Sequence, residues 1–575
     1  MNHPDSHFAQ AAVGRAAVRC VFALSILLSA SSACGTTFTV SNTADTGNGS
    51  LRQAITDANG NGGLDTIEFN IDAASDSGCA GTPRICTIQP VTNLPAITDP
   101  VSIDGYTQPG SSMNTQAVGD DAVILIELDA THASLGLNLN GSGASGSSVR
   151  GLAVTHVTGY GVKASHVDDL TITGNFVGTD ATGTSTTSPS GQGIFIDTAS
   201  GTVVGGTDPS ERNLVAAGTN GIYLELLTGC TVQGNYVAVD KSGEAPLPTF
   251  NAIVLSQTGN CLVGGSAMGA GNVIGDCGNV CIHLQSGSNN VIQGNLIGTD
   301  ATGTMSMGGG AYGIVESGSA DRIGGSGAGE GNVISGNGRD GVLVAFFNIP
   351  VSALIQGNRI GTDPTGTLAI RNAWCGIEVA TSTANSIDGI GGTDPGAGNL
   401  ISFNGTNGIS VSGATSTGWP IFGNSIYANG NMGITLNARC DNGAATPIAN
   451  DDGDADSGAN NRQNYPVITA VTISPMTMVH VSGTLNSTAD SMFHVEFFAN
   501  ANCGPARANG QGKIYLGSTD VMTSGNDASF GPLDFDVPVD RHVVTATTTD
   551  VDGNTSEFSE CATEDPIFSD GLDGN

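Results

Sequence analysis

Residues 174–184 read GNFVGTDATGT and residues 294–304 read GNLIGTDATGT, so nine of eleven letters recur. Two related copies follow the same pattern, GNYVAVDKSGE at 234–244 and GNRIGTDPTGT at 357–367. A second set of segments alternates with the first: VVGGTDPSERNLV, LVGGSAMGAGNVI, IGGSGAGEGNVI and IGGTDPGAGNLI. Self-similarity of this kind indicates a repeat architecture in which each unit stacks on its neighbours.

One asparagine recurs in each repeat unit, and the gaps alternate between about 22 and about 38 residues. This alternation predicts a basic turn of about 22 residues with a loop inserted in every second turn. We expect the asparagine side chains to stack, each amide bonding the same residue one coil away. The nine positions are Asn175, Asn213, Asn235, Asn272, Asn295, Asn332, Asn358, Asn399 and Asn424.

Short segments with alternating apolar residues recur once per unit, such as GIFI at 193–196, GIYL at 221–224 and GISV at 408–411. Apolar residues at every second position predict strands with one buried face. Each unit is too short to bury its own core, so the units must stack. We therefore predict an all-β fold, a right-handed parallel β-helix (a solenoid) of about a dozen coils, continuous over residues 66–440.

Each copy of the opening motif carries an aspartate followed three positions later by glycine, at Asp180, Asp240, Asp300 and Asp363. Asp at the first position and Gly at the fourth are preferences of type I turns. A catalytic role for these aspartates is the alternative. We favour the turn interpretation, because the aspartates repeat throughout the rod whereas an active site is a single place.

A stack of coils has open ends that must be covered. Residues 49–62, GSLRQAITDANGNG, predict the N-terminal capping helix. Ser50 and Gln53 are spaced as a capping box, an apolar stripe of Leu51, Ala54, Ile55 and Ala58 follows, and Asn59-Gly60 ends the helix.

The same region carries a resemblance to a known group. TFTVSNTADTGNGSLRQAITDAN at 37–59, LDTIEFNI at 64–71 and LPAITDPVSIDGYTQPG at 94–110 resemble the CSLREA-type N-terminal region of bacterial exported repeat proteins. Gly49 stands where that motif has cysteine, and Gln53 where it has glutamate. The resemblance covers about residues 37–440. It implies a right-handed parallel β-helix and export, but it carries no catalytic residue across.

Composition changes divide the chain into further segments. We predict an N-terminal cap with irregular first coils at 34–140, a regular β-helix at 141–440, and an acidic linker at 441–465. Alternating runs at 466–562 predict an antiparallel β-sandwich. HVEFFANANC and VTATTTDVDGNTSEFSEC within it resemble the Ig-like domain that follows such β-helices, and residues 563–575 resemble a short C-terminal tail.

The N-terminus predicts export. Arg15 and Arg19 precede the apolar run CVFALSILLSA, and small residues before Cys34 suit cleavage after a signal peptide of residues 1–33. No later run approaches the roughly 20 apolar residues of a membrane helix. We expect an extracellular or cell-surface protein without a transmembrane segment, with a lipid on Cys34 as the alternative.

Export permits disulfides. Cys230 and Cys261 precede equivalent strands of adjacent units, which predicts a bond between neighbouring coils. Cys79 with Cys86 and Cys503 with Cys561 are the other expected pairs, and stacked free thiols are the alternative.

The charge balance bears on partners. Lysine and arginine total 17 against 52 acidic residues, a net charge of −35, so a nucleic acid would be repelled. We expect a monomer whose partner is a polysaccharide or cell-surface glycan.

Two clusters are candidates for chemistry. His156 and His166 with Asp168 and Asp169 form a local acid and histidine group, in which His166 and Asp168 are the candidate catalytic pair and surface polarity is the alternative. Asp452, Asp454 and Asp456 alternate as carboxylates do in calcium loops, with a solvated linker as the alternative.

These observations leave two functions. The first is an exported, non-catalytic β-helix that serves as a binding, adhesion or structural element. The second is a polysaccharide lyase or glycoside hydrolase, which a groove of acidic and aromatic residues would favour, with Trp374 and Trp419 as possible sugar platforms. We favour the first, because Asn, Gly, Asp and apolar repeats account for most of the sequence.

Overall fold

The computed structural model describes residues 35–564 except 189, 311, 346–350, 382–388, 442–444, 475–476, 504–509 and 539–540. The predicted signal peptide, Cys34 and residues 565–575 of the predicted tail lie outside the described residues. No helix in the described part of the chain is long and apolar enough to span a membrane.

Residues 37–435 form a parallel β-helix of three long sheets, which confirms the predicted fold class. From Val101–Asp104 onward, every coil contributes one strand to each sheet in the order A, B, C, whereas the earlier coils contribute no strand to sheet C. Neighbouring strands are parallel except for a first antiparallel pair in sheet B. Crossovers between parallel strands are right-handed in nearly all proteins.

Sheet A contains Thr37–Val40, Asp65–Phe69, Val101–Asp104, Ser148–Arg150, Thr171–Thr173, Val203–Gly205, Thr231–Gln233, Leu262–Gly264, Val291–Gln293, Asp321–Gly324, Ala353–Gln356, Ile390–Gly391 and Ile421–Phe422. Sheet B contains Cys79–Ala80, Ile85–Ile88, Ile126–Asp129, Leu152–Thr155, Phe176–Val177, Leu214–Val215, Tyr236–Val237, Val273–Ile274, Leu296–Ile297, Val333–Ile334, Arg359–Ile360, Leu400–Ser402 and Ser425–Tyr427. Sheet C contains Leu135–Asn140, Tyr160–Ser165, Gln192–Asp197, Asn220–Glu225, Thr249–Gly259, Cys277–Ser288, Tyr312–Glu316, Val342–Val344, Ile377–Ala380, Ile409–Ser412 and Ile434–Thr435.

The core is a set of aliphatic columns, because in-register stacking places the same inward position of each coil above the last. Ile172, Val204 and Val232 are one such run in sheet A, and all three are fully buried. Burying a Val or Ile side chain contributes about 1.5–3 kcal/mol. The repeat thus stabilises the rod coil by coil.

The predicted helix is Leu51–Asn59, and its stripe of Leu51, Ala54, Ile55 and Ala58 is buried against the first coils. Ser50 caps it by accepting from the Gln53 N–H. The other half of the predicted capping box is not formed, because the Gln53 amide donates to Asp57 at 2.7 Å. Short 3-10 turns lie at Gly105–Thr107, Ser142–Ala144, Pro209–Glu211 and Ala459–Arg462.

The asparagine ladder is confirmed. Eight hydrogen bonds connect the nine predicted side chains in series from Asn175 to Asn424, each from Nδ2 of one asparagine to Oδ1 of the next over 2.9–3.2 Å. The aspartate turns are also present: the Gly183 N–H donates to the Asp180 carbonyl, and the Asp180 carboxylate accepts from the Thr184 N–H. These contacts give the repeated aspartates a structural role.

A second interior ladder was not predicted. Asn337, Asn372, Asn404 and Asn429 donate to one another in series over 2.8–3.0 Å. Its last member reaches Gln511, whose side-chain oxygen accepts from the Asn429 N–H at 3.1 Å.

Gln511 belongs to the C-terminal unit, which consists of two three-stranded antiparallel sheets around their own core. One sheet contains Val467–Ile473, Met478–Asn486 and Asp527–Asp536, and the other contains Met492–Asn500, Ile514–Met522 and Val543–Asp550. The predicted antiparallel sandwich is therefore present, while its Ig-like kinship stays a prediction.

The sandwich caps the last coil of the β-helix on all three sheets. Thr555 accepts from the Ile421 N–H at the end of sheet A, Gly512 forms a bridge with Ile426 of sheet B, and Glu557 accepts from Leu436 after sheet C. Phe498 and Phe558 join the core of the β-helix. Burial raises the pKa of Glu557 to about 7. The second open end of the stack is thereby covered.

The segment predicted as a linker has a fixed place between these units. Asn460 is fully buried and its amide donates to the carbonyl of Trp419, while Asn464 donates to the carbonyls of Asp451 and Asn486. The described part of residues 441–465 is thus packed, because its asparagines satisfy buried backbone carbonyls at the junction.

All three predicted disulfides are present: Cys79–Cys86, Cys230–Cys261 and Cys503–Cys561. Two more, Cys277–Cys281 and Cys375–Cys440, were not predicted. Five disulfides indicate an oxidising environment.

Candidate functional site

The outer face of sheet C differs from the asparagine ladder because its residues change from coil to coil. In each strand the inward residues, such as Ile194 and Ile196, belong to the core. The residues between them point outward, and register aligns Gln192, Phe195 and Asp197 with Asn220, Tyr223 and Glu225 of the next strand. The face therefore consists of three parallel columns that run along the rod.

Phe195 and Tyr223 occupy the middle column, and Tyr160, which is in register with Gln192, contacts Phe195 from the preceding strand. Phe195 lies 4.9 Å from Tyr160 and 5.4 Å from Tyr223 between ring centroids, and the planes of Phe195 and Tyr223 differ by only 10°. Lys163, the residue of the middle column on the Tyr160 strand, places its Nζ 5.6 Å from the Tyr160 centroid. Phe195 is only 8% exposed between its two neighbours, so the half-buried rings of Tyr160 and Tyr223 are the accessible members of this aromatic stack.

A column of amides borders the rings on one side. Asn220 donates to Gln192 at 3.3 Å, Asn251 to Asn220 at 2.9 Å, and Asn279 to Asn251 at 3.0 Å. Asn251 and Asn279 are half-buried, so this ladder lies at the surface. Each amide has further donor and acceptor capacity for a ligand.

Carboxylates border the rings on the other side. Asp197 accepts from the Ser165 hydroxyl at 2.7 Å, and Glu225 follows it in register on the next strand. Among the described residues, none forms a hydrogen bond or an ion pair with the Glu225 carboxylate. Further along, His283 bonds Gln285 at 2.9 Å, and burial lowers the pKa of His283 to about 4, so this histidine is neutral at pH 7.

A second aromatic group lies farther along the same sheet. The Arg339 guanidinium carbon lies 5.3 Å from the Tyr312 centroid and 4.8 Å from the Trp374 centroid. Trp374 is therefore available at the surface, as the sequence suggests. Trp419 is not a platform, because it is fully buried under the capping unit.

His166 and Asp168, the predicted catalytic candidates, make separate contacts. Asp168 accepts from the backbone N–H and hydroxyl of Ser200 at 2.7 and 2.8 Å, which ties two coils together. His166 is exposed and has left-handed backbone at a corner, with φ 59°. His156 lies beside Asp129 at 3.1 Å and not beside Asp168. Hydrogen bonds that join successive coils account for these residues.

The predicted metal site is rearranged. Ligand oxygens of Asp451, Asp454 and Asp456 lie within 4.8 Å of one another, whereas Asp452 turns to Asn486 at 3.4 Å. Gly453 and Asp454 both have positive φ, and this turn places Asp451 in the group in place of Asp452. Burial raises the pKa of Asp454 to about 6, with Asp451 and Asp456 adding to the rise.

A pair of carboxyl groups lies inside the rod. Glu316 takes an inward position of sheet C between Leu284 and Val344, and it is fully buried. Its Oε1 accepts from the Gly318 N–H, and Asp321 accepts from the Asn290 N–H. Burial and the neighbouring Asp321 raise the pKa of Glu316 well above its usual range, with a hydrogen bond between the two carboxyls. Glu316 and Asp321 therefore form a coupled pair in the core, in which burial and the neighbouring carboxyl both favour the protonated form of Glu316.

The residues of the aromatic column were missed at the sequence level, although the signal was present. Phe195 and Tyr223 are the third letters of GIFI and GIYL, the outward position of each predicted strand. Comparing that letter between repeats would have shown two aromatic rings on adjacent coils. The second interior ladder also left a signal, because Asn337, Asn404 and Asn429 each follow a main-ladder asparagine by five positions and precede a glycine. The outer amide column of Asn220, Asn251 and Asn279 has no such spacing.

Comparisons with known proteins show only remote likeness. No protein-family model matches the sequence, and no curated protein matches it. Among solved structures, the AlgE6 A-module, a mannuronan C-5 epimerase of Azotobacter vinelandii, is similar over 70% of this chain and 99% of its own, at 14% identity and a TM-score of 0.37. The enzymatically active domain of tailspike protein 2 of bacteriophage CBA120 is similar over 84% of this chain and 75% of its own, at 12% identity and a TM-score of 0.29. Likenesses this weak do not indicate a reaction or a ligand for this chain.

Proposed function

We propose that the protein is an exported, non-catalytic β-helix that binds an extended glycan along the outer face of sheet C. The observation that carries this proposal is the stack of Tyr160, Phe195 and Tyr223, bordered by amides and carboxylates. Aromatic faces suit the apolar C–H face of a sugar ring, and flanking polar groups suit its hydroxyls.

The geometry supports a chain and not a single sugar. The rings, amides and carboxylates follow the rod axis over consecutive coils, at about 4.8 Å per coil. On the two adjacent coils of Phe195 and Tyr223, a glycan laid along the axis would meet all three kinds of contact. The side chains are held by one another and by the sheet, so little ordering is needed on binding.

A second candidate function is hydrolysis at Asp197 and Glu225. These carboxylates lie on adjacent strands in register, so their backbones are about 4.8 Å apart, close to the 5–5.5 Å carboxyl separation of retaining glycosidases. We favour binding because Asp197 and Glu225 are both half-exposed on the outer face, whereas a hydrolytic site encloses its substrate in a pocket.

The test is a glycan array probed with the mature protein and with Tyr223→Ala. We expect binding to an extended oligosaccharide, weakened about 10-fold by loss of the ring, in line with the energy of an aromatic contact. Tyr515→Ala, a half-exposed ring on the sandwich, is the matched control and should bind normally. Equal binding by both variants would remove the outer face from consideration. Cleavage of a bound oligosaccharide that Asp197→Asn abolishes would promote the hydrolase.

We further propose that Asp451, Asp454 and Asp456 hold calcium. Carboxylate oxygens are the ligands that calcium prefers, and three of them meet here in a loop that packs on the sandwich. The role would be structural, at the junction of the two units. Arg462 lies 3.4 Å from Asp456 and partly offsets the charge without calcium.

A further inference from the structure

Negative charge exceeds positive charge beside the aromatic rings of sheet C. Asp197 and Glu225 occupy neighbouring positions of one column, and the next residues of that column, Ser256 and Gln285, are neutral. The cation on this part of the face, Lys163, lies over the Tyr160 ring, one coil before Asp197. Two carboxylates without a matching cation thus border the surface on which a sugar would stack.

We propose that the glycan recognised by this face carries free, protonated amino groups. This inference rests on the proposed glycan binding and adds the chemical class of the sugar. A protonated amine on a sugar stacked against Tyr223 is a donor and a cation at once, which suits a pair of adjacent carboxylates. A neutral sugar offers the donors without the charge.

The protein as a whole favours the same class. The net charge of −35 creates a field that repels polyanions such as uronate chains and attracts polycations. His283 adds no positive charge at neutral pH, because burial lowers its pKa to about 4. Charge complementarity therefore selects amino sugars over uronic acids along this column.

An N-acetylated sugar would make a different set of contacts. Its amide is neutral, so it leaves the two carboxylates with their mutual repulsion, while its carbonyl suits the amides of Asn220 and Asn251 on the other side of the rings. Comparing the amine and N-acetylated forms of one sugar chain therefore distinguishes binding through the carboxylate column from binding through the amide column.

The experiment measures binding of a glucosamine oligomer and its fully N-acetylated counterpart by calorimetry, with the mature protein at low and high salt. We expect the amine form to bind about 10-fold tighter at low salt, and the difference to vanish near 1 M salt, where the Debye length is about 3 Å. The double variant Asp197→Asn with Glu225→Gln should lose this preference, so that its affinities for the two oligomers differ by less than about twofold at low salt.

The matched control is Glu244→Gln with Asp394→Asn, which removes the same charge from exposed loops away from sheet C. This control should keep the preference. If both double variants lose it equally, attraction by the overall charge explains the result and the inference is wrong. Equal affinity of the wild type for both oligomers also overturns the inference but leaves glycan binding intact. Absence of binding to either oligomer, with uronate or neutral chains bound on the array, rejects the amine class alone. Binding to no glycan rejects the proposed function itself.

Discussion

The corner between sheets A and B and the outer face of sheet C are built from the same coils, yet they follow opposite rules. At the corner, one residue type occupies the same position in nine successive units, and its side chains bond only protein. On the outer face, the column through Phe195 reads Lys, Phe, Tyr, Val and His. Positions that repeat are those that stabilise the stacked coils, whereas the variable positions of the outer face are available to contact a ligand.

Breaking the interior ladder should have the largest effect. Asn295 is buried, and its side chain accepts from both the backbone and the amide of Asn272 while donating to Asn332. Asn295→Ala leaves these groups unpaired, so we expect a loss of about 3–5 kcal/mol in the free energy of unfolding. Denaturant titration followed by circular dichroism measures it. The matched variant is Asn251→Ala in the outer amide column, which should cost about 1 kcal/mol. Similar losses in the two variants would erase the distinction between the regions.

The end of the second ladder tests whether the cap is part of the interior. Gln511 is buried, accepts from the Asn429 N–H and donates to the Asn431 carbonyl at 2.8 Å. Gln511→Ala should cost about 2–3 kcal/mol, because it leaves backbone groups of the last coil unpaired. Protease resistance of the last coils should fall with it. A variant as stable as the wild type would show that the sandwich covers the rod without stabilising it.

Glu316 is a carboxyl group at an inward position that carries apolar residues on the neighbouring coils, so the stability of the protein should depend on pH through it. Its folded pKa is raised by burial and by Asp321, so its contribution to stability is complete below the unfolded carboxyl pKa of about 4.3 and is lost as pH rises through the folded pKa. Adjacent coils contribute no titratable side chain at 285–290 or 344–353. Glu316→Gln removes the titration, so at pH 8 it should be more stable than the wild type by about 1–2 kcal/mol, and the gain should shrink towards pH 4.

Unfolding curves at several pH values measure this difference. Glu225→Gln, a half-exposed acid of the outer face, serves as the control and should leave the pH profile unchanged. Parallel pH profiles for Glu316→Gln and the wild type would contradict a raised pKa of Glu316 in the core.

Calcium should give the smallest effect, since it acts outside both regions. Calcium at about four times its dissociation constant is expected to stabilise the junction by about 1 kcal/mol. Cleavage between residues 441 and 464 by an added protease should then slow. Replacing Asp451, Asp454 and Asp456 by asparagine should abolish the response. Identical cleavage with calcium and with chelator would remove the site.

The sequence was sufficient for the scaffold because the scaffold repeats. Asn175 and its equivalents, the Asp180 turns and the helix at Ser50 each follow from local chemistry that acts within one coil or between equal positions. Cys230 and Cys261 were paired correctly for the same reason, since equal positions stack. Because the coils stack in register, equal positions in successive repeats are expected to lie one coil apart.

The candidate site could not be obtained in this way. Phe195 and Tyr223 meet across coils as different residue types, so no motif connects them. The ladder from Asn429 to Gln511 joins positions 82 residues apart in unrelated units, and Asp451 replaced Asp452 through one turn. The contacts of Gln511 and Asp451 depend on tertiary placement, and the pairing of Phe195 with Tyr223 becomes visible only when the outward letters of successive repeats are compared.

The capping role of the sandwich has a consequence for the order of events during synthesis. Gln511 and Glu557 follow the last coil in the chain, so every coil is made before the unit that closes the stack. During that interval the end of the rod presents unpaired strand edges, which are templates for pairing with other chains. The protein is therefore most prone to aggregate after the last coil has been synthesised and before the sandwich has folded. A chaperone that shields strand edges would act during this period.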